Sequence, residues 1–200
     1  MSKGTLTRER IVGRAMELAS VDGLNGLTLG RLADGIGMSK SGLFAHFRSK
    51  EELQRNVLEA TFAAFRAFVY EPAAAEPRGE PRLRRAFERW LVWQGGRDEM
   101  PGGCLILQVS VELDDQPGPL RELLVHAMRD WRATLVAFAR GAITAGHLRA
   151  DANPALIAFQ VEAILRGAAH DSRLLDDPLA LDHARAAFDA MLNAARSTTP

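Results

Sequence analysis

The chain has a single cysteine among its 200 residues, Cys104. One thiol excludes an internal disulfide and any CxxC metal clip, and it fits a reducing compartment. No stretch approaches the roughly 18 uninterrupted apolar residues that a membrane span needs. The opening MSKGTLTRER also lacks the apolar core of a secretion signal. The expectation is a cytoplasmic protein with no membrane partner. Metal signatures are missing: there is no HExxH and no pair of histidines four residues apart, so no metal site and no cofactor is expected. Catalytic signatures are missing as well. No nucleophile, base and orienting group can be assembled, and GIGMSK has the spacing of neither common nucleotide loop, so no catalytic residue is assigned.

Net charge is also absent, with 25 cations balanced by 25 acids. That balance conceals an asymmetry. Residues 1–50 carry eight cations (Lys3, Arg8, Arg10, Arg14, Arg31, Lys40, Arg48, Lys50) against four acids (Glu9, Glu17, Asp22, Asp34), leaving the remainder equally acidic. A basic head on an acidic body suits a nucleic-acid contact at one end, because phosphate neutralisation supplies most sequence-independent affinity. Scattered surface charge would give the same totals.

An apolar fraction of 47% is ample for a core, in one domain or two small ones. Its periodicity is helical nearly throughout. Ile11, Ala15, Leu18 and Ala19 recur at helical spacing after Thr7, a suitable N-cap, and Asp22-Gly23 supplies a stop, which predicts a helix over about 7–22. Thr28 can cap a short helix over 28–35 with Leu29, Leu32, Ala33 and Ile36 inward. After Gly37, Ser39 caps a helix of about two turns that turns Leu43 and Phe47 inward. Ser49 with Glu52 reads as a capping box opening a fourth helix, about 50–70, through Leu53, Val57, Leu58, Phe62 and Phe65. EPAAAEPRGEP, residues 71–81, reads as a proline-punctuated loop and a domain boundary. Beyond it, helices are expected near 82–96, 103–113, 119–146, 154–175 and 178–196, with a Gly-Gly break at 95–96. LILQVSVE, residues 105–112, alternates like a strand, but a lone strand would have no partner. The fold class is therefore all-α, with domains over 1–50 and 82–200 and the fourth helix between them.

Residues 28–47 carry the chemistry. Two short helices joined by a turn at Ile36-Gly37-Met38 match the helix-turn-helix plan, whose second helix enters the major groove of DNA. Ser39, Lys40 and Ser41 begin that helix, where groove-reading side chains project; Lys40 can donate to guanine O6 and N7. Gly42 costs about 1 kcal/mol relative to alanine inside a helix. Close approach of backbone to phosphate or base would compensate; a glycine that merely ends a turn, or a loop at Ser39–Gly42, is the plainer reading.

The run from Arg10 to Leu53, and most clearly LTLGRLADGIGMSKSGLFAHFRSKEEL, closely resembles the DNA-binding domain of the tetracycline-repressor (TetR) family of bacterial transcriptional regulators. The resemblance covers about the first quarter of the chain. It implies an N-terminal helix-turn-helix domain and a C-terminal helical domain that dimerises and binds a small effector. It also implies a homodimer whose recognition helices reach successive major grooves of an operator. Residue by residue, it places Thr28 at a phosphate-contacting cap, Lys40 and Ser41 at base-reading positions, and Gly42 where small or hydroxylated residues lie near the backbone. Phe44 stands where the family most often has tyrosine, and phenylalanine cannot hydrogen-bond a phosphate. His46 contacts phosphate in this reading; the other reading is a half-buried histidine bonding a neighbouring helix. Lys50 matches a phosphate-binding lysine.

The second half carries fewer signals. Trp90, Trp93, Met100, Cys104, Leu107, Met128, Trp131 and Phe159 are candidate walls of an effector pocket, with His170 and His126 able to orient a ligand. All could equally be ordinary core or surface. Cys104 follows Pro-Gly-Gly near a predicted helix start, where a thiolate is favoured, yet free cysteine is commonly buried and inert. In the last two helices, Leu156, Phe159, Ala163, Ile164 and Gly167 form one face, and Leu181, Ala184, Phe188, Met191, Leu192 and Ala195 another. Paired across a two-fold axis they would make a four-helix dimer interface; alternatively they bury within one chain. A repressor released by a small molecule is the leading reading, ahead of an activator, an effector-independent DNA binder or an all-helical enzyme.

Overall fold

The computed structural model describes residues 3–95 and 100–196, without the side chains of residues 3–6 and Phe44; Gly96 of the expected Gly-Gly break lies outside the described residues. Among the described residues ten α-helices follow one another: α1 Lys3–Gly26, α2 Leu29–Ile36, α3 Lys40–Phe44, α4 Lys50–Phe65, α5 Glu71–Ala75, α6 Glu80–Gln94, α7 Leu105–Glu112, α8 Pro119–Thr144, α9 Pro154–Leu174 and α10 Ala180–Ala195. A π-helical stretch, Arg66–Tyr70, joins α4 to α5. LILQVSVE is the helix α7, so its alternation reflects a helix with apolar residues on several sides. Among the described helices none is long and apolar enough to cross a membrane.

The chain divides into two compact units, residues 1–65 with 96–126, and residues 66–95 with 127–200. This differs from the expected split at a 71–81 loop in two respects. Residues 71–75 are helical, because the π-helical stretch restarts the α pattern at Glu71 and brings Pro72 into a first turn, where its missing N–H costs nothing. Helix α5 stops when Glu76 becomes extended ahead of Pro77. The second difference is that α7 packs with the first unit, on α1 and α4.

In the first unit α1 packs on α2, α4 and α7. Gly23 (φ 76°, ψ 170°) breaks α1 where Asp22-Gly23 predicted a stop, whereas Thr7 lies inside the helix instead of capping it. The polar groups freed at this break are taken up by other helices. Glu112 Oε2 on α7 accepts from the N–H groups of Leu24 (3.0 Å) and Asn25 (3.1 Å). Gln54 Nε2 on α4 donates to the Leu24 carbonyl at 2.9 Å. Gln108 Nε2 donates to the Ser20 carbonyl at 2.7 Å, and the Gly102 N–H donates to Ser20 Oγ at 3.0 Å. Satisfying buried backbone groups in this way fixes α7 against the helix-turn-helix.

Arg8 is a second tie. It donates to the His46 carbonyl just beyond α3, to Glu52 Oε1 (2.9 Å) and to Asn56 Oδ1 (3.2 Å), and lies 4.4 Å over the Phe47 ring. Ser49 Oγ caps α4 by accepting from the Glu52 N–H at 3.1 Å, and Glu52 Oε2 accepts from the Arg48 N–H at 2.8 Å. The Arg8 hydrogen bond, then that of the Arg48 N–H, holds the Glu52 carboxyl below its ordinary range.

The second unit is built on α6, α8, α9 and α10. Phe87 of α6 stacks on Phe188 of α10 with centroids 4.0 Å apart, and Trp90 meets Trp131 of α8 edge-on at 5.5 Å. Glu162, 3% exposed on α9, is neutralised by Arg132 of α8, whose Nε donates at 3.0 Å, as a buried carboxylate requires.

Two outcomes follow from these ties. A Cβ on Gly102 would stand 1.6 Å from the Ser20 carbonyl oxygen, which is backbone and cannot swing aside. Gly102→Ala should therefore lose about 1–3 kcal/mol of stability in urea denaturation; an unchanged midpoint would disprove the contact. Because Glu52 has a depressed folded pKa, its contribution is complete above the unfolded carboxyl value of about 4.3 and is lost as pH falls through the lower folded value. Urea midpoints from pH 6 to 3 should fall more steeply for wild type than for Glu52→Gln; parallel curves would contradict the tie.

Candidate nucleic-acid interface

Helix α2 begins where Thr28 Oγ1 accepts from the Arg31 N–H at 3.3 Å. It ends at Gly37, whose φ of 65° and ψ of 33° place it in the left-handed region that a side chain disfavours. The Met38 N–H then donates back to the Ala33 carbonyl at 3.0 Å, closing a Schellman turn. Ser39 caps α3 by accepting from the Gly42 N–H at 3.1 Å, and its hydroxyl is 3.1 Å from that of Ser41. Helix α3 is shorter than expected, five residues against about two turns, because after Phe44 the backbone bonds tighten toward Leu43.

Leu43 and Phe47 are buried, 0% and 1% exposed, as are Leu32 and Ala33 of α2, on which α3 packs. Leu29 and Ile36, expected inward, are only half-buried. With the anchors inside, Ser39, Lys40 and Ser41 are exposed, as are Thr28 and Lys50; Gly42 and His46 are half-buried. The side chain of Phe44 lies outside the described residues. Gly42 is within α3, not in a loop or at a turn's end, and a Cβ there would be 3.2 Å from the capping Ser39 Oγ. A tight N-cap is thus one physical reason for the glycine. Lys50 Nζ donates to the Asn25 carbonyl at 2.9 Å, which holds the start of α4 to the α1–α2 corner and leaves two ammonium protons for another acceptor.

Arg8 was not legible as part of this arrangement. An arginine near the start of a first helix carries no motif, and only the fold brings it to the end of α3.

The expected effector set does not gather within one unit. Met100, Cys104 and Leu107 lie in the first; Trp90, Trp93, Met128, Trp131, Phe159 and His170 lie in the second. Trp93 is fully buried 5.8 Å from the Phe68 ring, whereas Phe159 is 57% exposed and His170 is exposed beside Asp171. His126 is exposed too. Cys104 is 6% exposed at the N-cap of α7, a burial unfavourable to a redox sensor.

The two expected dimer faces differ. On α9, Leu156 (52%) and Phe159 (57%) are exposed together with Ala163 and Gly167, and Ile164 is half-buried. On α10, Ala184, Phe188, Leu192 and Ala195 are buried inside their own unit, with Leu181 and Met191 half-buried. The Phe87–Phe188 stack explains this: the large residues of α10 fill the intrachain core. What α10 leaves open includes four small residues, Ala186, Ala187, Ala190 and Ala194, with the exposed His183 in line with them.

Residues 11–57 match the family model for bacterial regulatory proteins of the tetR family, and residues 79–188 match the model for the tetracyclin repressor-like C-terminal domain. Among solved structures, a TetR transcriptional regulator from Chloroflexus aurantiacus J-10-FL aligns at 26% identity over 96% of this chain and 97% of that one, with a TM-score of 0.88. TetR-family regulators from Cytophaga hutchinsonii and Agrobacterium tumefaciens share the fold. The first has 21% identity, 100% and 99% coverage and a TM-score of 0.83; the second has 18%, 98% and 100%, and 0.84. No curated protein sequence matches the chain. A capped helix-turn-helix with an exposed Ser39–Ser41 edge, followed by a helical second unit, agrees with both family matches: the chain belongs to the tetracycline-repressor family of DNA-binding transcriptional regulators.

Proposed function

We propose that the protein is a homodimeric repressor that binds a palindromic operator through α3 and leaves it when a small molecule occupies the C-terminal domain. The observation that carries the DNA reading is the edge formed by Ser39, Lys40 and Ser41, exposed above two anchors with almost no solvent contact. Lys40 and Ser41 read base edges, while Thr28, Ser39, His46 and Lys50 bond phosphates and Gly42 lets the backbone approach; Phe44 offers an apolar contact to a sugar or a thymine methyl. Thr28 retains its hydroxyl proton for phosphate while capping with its oxygen, and the Ser39–Ser41 hydroxyl pair keeps one proton to donate outward.

Dimerisation is supported by the open apolar face of α9, Leu156, Phe159, Ala163 and Gly167, and by the alanines of α10, which allow close helix approach. A two-fold axis through these helices sets the recognition helices about one DNA turn, roughly 34 Å, apart. An effector acts by preferring the arrangement that breaks this register, and a coupling of about 1–3 kcal/mol is typical. Helix α4 is the lever, since it starts at Lys50 and runs unbroken into the π-helical stretch. Helix α7 is a second route, through Glu112. The effector pocket draws on the aromatic residues of the second unit, Trp90, Trp93 and Trp131, with Met128 beside them in sequence.

Two measurements test this reading. In fluorescence anisotropy, Lys50→Ala should weaken operator and random duplex alike and lower the log–log salt slope by about 1 per subunit. Lys40→Ala should weaken the operator more than random DNA, and equal losses would remove its base-reading role. In sedimentation at micromolar concentration the chain should have a dimer mass and Phe159→Lys a monomer mass; a monomeric wild type would refute the assembly.

A further inference from the structure

A cleft of about 360 Å³ opens in the second unit beside the start of α6 and the C-terminal half of α8. Its floor is aromatic. Tyr70 and Phe138 lie nearly parallel, 8° apart in plane with centroids separated by 6.4 Å. Its charged groups are cationic: Arg78 and Arg82 line it beside the hydroxyl residues Tyr70 and Thr134, and none of the described lining residues is acidic. The Arg82 guanidinium is 5.8 Å from the Phe138 centroid, and among the described residues only its Nε is hydrogen-bonded, donating to the Glu76 carbonyl at 2.9 Å.

The neighbouring arginines of α6 behave differently. Arg84 pairs with Glu80 and Asp189, each at 2.6 Å, and Arg85 with Glu76 at 3.6 Å. Arg78 and Arg82 form no ion pair with any described residue. The wall is also held in place. Gly79 has a φ of 113°, and a Cβ there would stand 2.3 Å from His147 Nδ1, which instead accepts from the Glu80 N–H at 3.0 Å.

We propose that this cleft binds a small aromatic carboxylate, its ring against Phe138 and Tyr70 and its carboxylate on Arg78 and Arg82. The volume is near the lower end of ligand sites, about 300–1,000 Å³, which suits one or two fused rings. Arginine matches a carboxylate through paired N–H donors, and the Tyr70 hydroxyl adds another. Two like charges disfavour a cation, and an inorganic anion would leave the aromatic floor uncovered. The inference rests on the cleft alone and is independent of the DNA reading, so it is tested on the free, full-length protein.

Titration calorimetry with 1-naphthoate should give saturable binding of one molecule per chain, and 1-naphthamide should bind at least tenfold more weakly. Arg78→Gln, at an exposed position, should keep the wild-type melting temperature and lose at least tenfold in naphthoate affinity; Arg82→Gln should lose a similar factor. No saturation at millimolar naphthoate would overturn the proposal. Equal affinity for the amide, or affinity unchanged in the double variant, would do the same.

Discussion

A helix of five residues cannot sustain itself in water, because nucleation costs more than so few hydrogen bonds return. Helix α3 exists because Leu43 and Phe47 are buried against the rest of the first unit, because Ser39 satisfies the Gly42 N–H, and because Arg8 takes up the His46 carbonyl. This dependence orients the surface as well as forming it. Once both anchors are inside, helical geometry leaves Lys40 and Ser41 facing out, and α2, the Gly37 turn and the start of α4 are the means of holding them there.

The same logic extends to α7. The break of α1 at Gly23 exposes backbone groups that need partners, and Glu112, Gln108 and Gln54 supply them. Gly102 can approach the Ser20 backbone only because it has no side chain. The helix-turn-helix is therefore supported by a segment about eighty residues further along the chain. Helix α7 is thereby hydrogen-bonded to the corner preceding α2.

The first fifty residues were largely legible because their signals are local. Caps at Thr28, Ser39 and Ser49, the left-handed Gly37 and the pair Leu43–Phe47 each act within a few residues of where they stand. The rest was less so, for three physical reasons. The π-helical stretch resets the helix pattern, so Pro72 falls where proline is tolerated and EPAAA is helix, not loop. The apolar residues of α10 are alike in pattern whether they face their own core or a partner, and only the stack of Phe188 on Phe87 assigns them inward. Sites built by distant residues, Arg8 on α3 and Arg82 beside Phe138, carry no sequence motif at all.

The central claim is that the edge of α3, held by its two buried anchors, reads double-stranded DNA. Selection of bound duplexes from a random-sequence pool by the purified protein at low salt tests it most directly. The account predicts enrichment of an inverted repeat whose half-sites lie about one helical turn apart, and loss of that enrichment when Ser39, Lys40 and Ser41 are all replaced by alanine. A pool that stays random with the wild-type protein, or an enriched sequence that the triple variant selects equally well, would contradict it.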